Sequence, residues 1–255
     1  MTKEKFQSID KLYHYTSFES ALKIIESQTL LFNPLKRMND INELYRPLFS
    51  KEDYTDKEWE KMKEIVYSHQ QISLSKDKGV KMGFDIPAMW GHYADKGLGV
   101  CLVFSKEELL NTLPKEHVKG NVRYLDINKF DPDIVVSPTI ERTKRFSKKE
   151  YRDYFFKKTK DWSYEQEFRI LMRSDSCERV KLCFQDALIG VIAHRADDVK
   201  ENEKYWNSVY CSILKKHCDN IYIYESWGKE RHLVEEGGDC VWLSYDPSSF
   251  SLALD

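Results

Sequence analysis

Two short stretches place chemically competent groups where a strand would otherwise be apolar. Leu12-Tyr13-His14-Tyr15-Thr16 lies near the start of the chain, and Trp162-Ser163-Tyr164-Glu165-Gln166-Glu167-Phe168-Arg169 lies in its second half. Burying His, Thr or Glu costs free energy unless each finds a partner, so two such stretches point to a site. Strand alternation puts Glu165, Glu167 and Arg169 on one face, with Phe168, Ile170 and Met172 on the other. A carboxylate held rigidly there can stabilise a developing positive charge or bind a ribose hydroxyl. The structural alternative is an exposed sheet face carrying cross-strand ion pairs. His14 and Thr16 share a face by the same rule. A strand histidine can be oriented through one ring nitrogen and bind through the other, or be a satisfied structural residue. Thr16 has a competing role as helix N-cap, because Glu19 stands at capping-box spacing.

Two further segments carry weaker signals. Met89, Trp90 and Tyr93 recur at helical spacing, which is more often core than ligand platform. If Tyr93 reaches a cleft, its ring can stack on a flat base such as nicotinamide, and His92 is a second histidine candidate. From Arg142 to Lys160 nine Lys/Arg residues face two acids, a local charge of +7, with five aromatics interleaved. Such a segment can hold nucleic acid or dinucleotide phosphates. A solvated basic helix face is the favoured reading, because the chain as a whole carries a formal charge of −2.

The elements that must position these groups alternate between strand and helix. Strands are expected at Leu12–Tyr15, Leu30–Phe32, Ile72–Ser75, Val100–Phe104, Val118–Leu125, Tyr164–Met172, Leu188–Ala193, Ile221–Tyr224 and Val241–Tyr245. Helices are expected after Thr16, from Thr55 to about Ser68, from Pro87 to Ala94, after Ser105, over Thr139–Lys160 and over Asp198–Cys218. Asn39-Asp40 marks a turn. No repeat or Pro/Gly linker interrupts the pattern, and a single α+β domain over residues 1–255 is expected.

The chain has 255 residues, 41% hydrophobic and 13% aromatic, enough for a real core. No apolar run approaches the ~20 residues of a membrane span, and the charged start lacks a signal-peptide core. The expectation is a cytoplasmic protein with no membrane partner. None of the six cysteines forms a Cys-x-x-Cys pair or stands at finger spacing from a histidine, so free core thiols are expected and no metal site.

Leu12-Tyr13-His14-Tyr15-Thr16-Ser17 followed by Leu22–Leu30 resembles the opening of the bacterial domain-of-unknown-function family 2971. Asn39-Asp40 with Glu43, Met89-Trp90-Gly91-His92-Tyr93-Ala94, Gly99-Val100 and Trp162 to Arg169 follow in that family's order. The same opening also resembles the DNA-targeting ADP-ribosyltransferase toxins, which start with a strand, a His-x-Thr and an Ile/Leu-rich helix. ADP-ribosyltransferases place a His or Arg on the first strand, a Ser-x-Ser or Tyr in the middle and a Glu late. The matching residues here are His14, then Ser73-Leu74-Ser75 or Tyr93, then Glu165-Gln166-Glu167.

That resemblance implies an ADP-ribosyltransferase-like α+β fold of split sheets with surrounding helices. It implies NAD as cofactor, with ADP-ribosyl transfer or NAD glycohydrolysis as the activity. A nucleic acid or protein would be the acceptor, in phage defence or as a toxin. Glu167 and His14 would be catalytic, with His14, Thr16, Ser73, Ser75, Tyr93 and Glu165 holding the dinucleotide. The alternative is a non-catalytic nucleotide- or nucleic-acid-binding module. A nuclease ranks below both, because no compact cluster of acidic metal ligands stands out.

Overall fold

The computed structural model describes residues 3–38, 55–57, 67–126, 155–174, 178–195, 214–216, 221–227, 230–235 and 240–243, with single positions between them. Strands are numbered in chain order, β1 to β14. The chain divides into two compact units, each assembled from separate stretches. The first comprises Met1–Gln28, Gly79–Asn111 and Phe184–Asp255, and the second Thr29–Lys78 and Thr112–Cys183.

In the first unit β1 (Lys11–Thr16) pairs antiparallel with β5 (Val100–Ser105), with His14 opposite Leu102. β5 pairs antiparallel with β11 (Leu188–Arg195), and β11 runs parallel to β12 (Ile221–Trp227). β13 (Glu230–Glu235) and β14 (Cys240–Leu243) extend the sheet in antiparallel fashion. β5 is buried along its whole length, which is why Val-Cys-Leu-Val-Phe reads as one unbroken apolar run. Cys101 within it is a free, buried thiol.

Short helices flank these strands. Phe18–Ser27 buries Ala21 and Ile25. Its cap is Ser17, whose hydroxyl accepts from the Ser20 N–H at 3.3 Å, and not Thr16, which remains the last residue of β1. Ser105 caps Lys106–Asn111, as its spacing to Glu108 predicts. Pro87–Tyr93 buries Met89 and Trp90, in keeping with the core reading of that stripe. Gly99 admits no side chain, since a Cβ there would lie 2.2 Å from the Thr16 carbonyl oxygen. That close approach lets the chain turn from the helix into β5 beside β1.

In the second unit β4 (His69–Lys76) pairs antiparallel with β9 (Glu167–Arg173), and β9 with β6 (Val118–Asn121). β3 (Asn33–Pro34) lies along β4. Two ribbons complete the unit: β2 (Thr29–Leu31) with β10 (Lys181–Cys183), and β7 (Arg123–Leu125) with β8 (Lys157–Thr159) in parallel. Leu35, Phe155, Phe156 and Leu171 form a core cluster here.

Three expectations change. The single strand expected at Val118–Leu125 breaks at Val122, so β6 joins β9 while β7 joins β8. The helix expected over Thr139–Lys160 gives way, at its described end, to strand β8 and a 3-10 turn. The strand expected from Tyr164 begins only at Glu167, because Lys160–Glu165 is that 3-10 turn. Asn39-Asp40 and most of Thr55–Ser68 and Asp198–Cys218 lie outside the described residues. No helix among the described residues is long and apolar enough to cross a membrane.

Candidate functional site

The chemistry of the second unit gathers at the start of β9. Gln166 adopts a left-handed conformation, φ 48° and ψ 43°, and closes the 3-10 turn. This breaks the alternation that would have put Glu165 and Glu167 on one strand face. A lysine reunites them. Lys158 on β8 donates to Glu165 Oε2 at 2.6 Å and lies 2.9 Å from Glu167 Oε2. Arg169 grips Glu167 with two donors, Nε to Oε1 at 2.8 Å and a terminal nitrogen to Oε2 at 2.9 Å. Its other terminal nitrogen donates to the Phe155 carbonyl. Gly120 stands opposite Arg169 across the β6–β9 pair.

All four charged side chains are buried; Glu167 and Arg169 are each 2% exposed. Two cations and two anions balance, which is the condition under which burying charge is tolerable. Burial pushes the Glu167 carboxyl upward, but the adjacent Arg169 and Lys158 charges outweigh it and hold the group well below the usual carboxylate range. The stripe is therefore ion-paired, but within β9 and to Lys158 of β8 and not across the ladder, and on a buried face.

Backbone contacts fix the same residue. The Glu167 N–H donates to the Tyr124 hydroxyl at 2.8 Å, and its carbonyl accepts from Val122 N–H at 3.0 Å. Burial, then the Glu167 and Glu165 charges, push the Tyr124 hydroxyl well above the ordinary phenol range. The Lys158 ammonium also lies 5.5 Å from the centre of the Trp162 ring, a cation–π distance.

β4 supplies the neighbouring polar groups. Ser75 is the antiparallel partner of Glu167, and Ser73 that of Arg169. Ser73 is exposed and accepts from Gln71 Nε2 at 3.0 Å, whereas Ser75 is buried. Among the described residues, the Ser75 hydroxyl and the Gln166 side-chain oxygen are buried without a hydrogen-bond partner. Such groups are rare in folded proteins and are satisfied when water or a ligand reaches them.

The remaining candidates lie in the first unit. His14 is half-buried in the middle of β1, between the buried residues Tyr13 and Tyr15. Thr16 is buried at the strand end. Tyr93 ends its helix half-buried, with its ring edge-on to exposed His92 at 6.3 Å.

The structure thus brings together Glu165, Glu167 and Ser75. It adds two residues that sequence reasoning missed, Lys158 and Tyr124. Lys158 falls within the basic segment Arg142–Lys160 and Tyr124 carries no signal of its own, because both acquire their roles only through the β7–β8 pairing.

A family model described as "Protein of unknown function (DUF2971)" matches residues 89–170. The match takes in Met89 to Ala94 and Trp162 to Arg169, and leaves the Leu12–Leu30 opening outside it. No curated protein and no solved structure matches the chain. The Tyr124, Lys158 and Glu165-Gln166-Glu167-Phe168-Arg169 cluster falls wholly within the stretch that the unknown-function family describes.

Proposed function

We propose that this protein binds NAD and breaks the bond between nicotinamide and its ribose, by ADP-ribosyl transfer or by hydrolysis, on an ADP-ribosyltransferase-like arrangement of strands. The observation that supports the reading is the pairing of Ser75 with Glu167 across β4 and β9. Directly opposed residues of an antiparallel pair share a face. A Ser-x-Ser strand and a Glu-x-Glu segment therefore meet at one place, with an ionised carboxylate beside hydroxyl and amide groups that can take ribose hydroxyls. In the reaction the electron pair of the carbon–nitrogen bond leaves with nicotinamide, and positive charge develops on the ribose carbon. Glu167 would stabilise that charge, and water or an acceptor would then form the new bond and release a proton.

Two cations already occupy the Glu167 carboxylate. The reading therefore requires Lys158 to turn wholly to Glu165 when the ribose arrives, which leaves Glu167 Oε2 with the Arg169 donor alone and room for a ribose hydroxyl beside it. The proposal rests on the second unit alone.

The test is nicotinamide release by the purified wild type and by Glu167→Gln and Glu165→Gln, with and without cell protein and nucleic acid as acceptors. Glu167→Gln is expected to lose about 100-fold or more in rate, the effect of removing about 3 kcal/mol of transition-state stabilisation. Glu165→Gln is expected to lose less. Because Glu167 is buried and paired, its variant must be assayed below its own melting temperature. Equal rates in wild type and Glu167→Gln, or no release by the wild type with acceptors present, would overturn the proposal.

A further inference from the structure

We infer that Lys158 and Tyr124 are positioning residues for Glu167, one holding its carboxylate and the other its backbone. The inference deepens the NAD-cleavage reading and rests on it for its kinetic arm. It begins with register. β7 and β8 run parallel with Tyr124 beside Lys158 and Arg123 beside Lys157. Register partners in a sheet project to the same face, so Tyr124 and Lys158 reach the start of β9 together.

Their tasks differ. The Tyr124 hydroxyl accepts the Glu167 N–H at 2.8 Å, at the junction where left-handed Gln166 hands over to the strand. Val122, two residues earlier on the same segment, donates to the Glu167 carbonyl at 3.0 Å. The peptide groups on both sides of the Glu167 Cα are thus tied to residues 122–124. The Lys158 ammonium meets Glu165 at 2.6 Å, Glu167 at 2.9 Å and the Trp162 ring at 5.5 Å. It is the group shared between the two carboxylates, so its position decides how much of its charge Glu167 receives. Among the described residues, the charged groups facing Glu167 are Lys158 from β8, Arg169 from β9 and Glu165 from the 3-10 turn, with the Tyr124 hydroxyl from β7.

A merely structural ribbon would give the same contacts but a different response to substitution. The test uses the full chain with Lys158→Met and Tyr124→Phe, and Lys158→Gln in case the methionine variant does not fold. Removing the lysine charge raises the Glu167 carboxyl pKa, so the acid limb of kcat for nicotinamide release is expected to move to higher pH. Tyr124→Phe is expected to lower kcat about tenfold with KM nearly unchanged, and to speed hydrogen exchange of the Glu167 amide about tenfold. An unmoved acid limb and unmoved Glu167 amide exchange, with only the melting temperature lowered, would overturn the inference. If the wild type releases no nicotinamide, the NAD reading fails by itself. The Glu167 carboxyl carbon, followed by NMR through an acid titration, then decides. Titration at a higher pH in the lysine variants supports the inference, and titration at the wild-type pH overturns it.

Discussion

The two units solve the same problem, polar groups inside a sheet, in different ways. Around β1 in the first unit, several neutral groups each take one partner, and the buried Lys11 ammonium donates to the Phe6 and Ile9 carbonyls at 2.7 and 2.6 Å. The Tyr15 hydroxyl donates to the Gly83 carbonyl at 2.8 Å, and Trp90 Nε1 donates to the Phe84 carbonyl at 2.8 Å. Tyr224 donates to the Asp85 carboxylate and stacks on Trp90, with centroids 5.9 Å apart and planes 10° apart. Around β9 in the second unit, four full charges are pooled in one cluster. Neutral hydroxyls and indoles lose little when buried with one partner each. Full charges cost far more to bury, and the second unit buries four of them against one another. The first arrangement should degrade gradually under mutation, and the second should fail as a block.

That difference is sharpest for Arg169→Met set against Tyr15→Phe. Removing Arg169 leaves a buried carboxylate with a single counter-ion, and a loss of about 3–5 kcal/mol in unfolding free energy is expected. Tyr15→Phe deletes one neutral hydrogen bond and should cost about 1 kcal/mol. Urea unfolding of both variants checks the ranking. Glu167→Leu added to Arg169→Met should recover part of the arginine loss, because the orphaned charge goes too. Equal costs for the two single variants would mean that the cluster is not the stability determinant proposed.

A smaller effect appears on acidification. The Glu167 carboxyl is held below its unfolded value, so its contribution to stability is fully present above the unfolded pKa, about 4.3. It is lost as pH falls through the lower folded pKa. Wild-type melting temperature should therefore drop below about pH 5 more steeply than that of Glu167→Gln, which has lost this group's linkage. Parallel melting curves for the two proteins would show that other carboxyls dominate.

The smallest expected effect lies at the helix that follows β1. Ser17→Ala removes the cap and should cost about 1 kcal/mol, whereas Thr16→Val should cost less, because Thr16 does not cap. Thermal melts of the two variants decide between the capping-box expectation and the observed cap.

How much of the site was legible follows from the range of the interactions. The Glu-x-Glu-x-Arg stripe was legible as a strand face because charge alternates there with Phe168 and Ile170. Its partner strand was recognisable from Ile72-Ser73-Leu74-Ser75, although its eight residues extend to both sides. The burial of the stripe was not legible, since an exposed and a buried ion-paired face have the same pattern. Lys158 looked like one more cation in a solvated helix, but it is spent on Glu165 and Glu167, while its neighbour Lys160 pairs with Asp126 at 2.8 Å.

The sequence alone determined the elements whose signal is local. Apolar runs marked β5 and β11, and capping chemistry marked the start of Lys106–Asn111, because these depend on neighbours within a few residues. Only the tertiary structure decided that Gln166 turns left-handed and takes Glu165 out of the strand. Only it decided that β7 and β8 run in parallel register, setting Tyr124 and Lys158 side by side against Glu167. Pairing between distant segments is chosen by the total packing and charge balance of the unit, and no single residue along the chain carries that information.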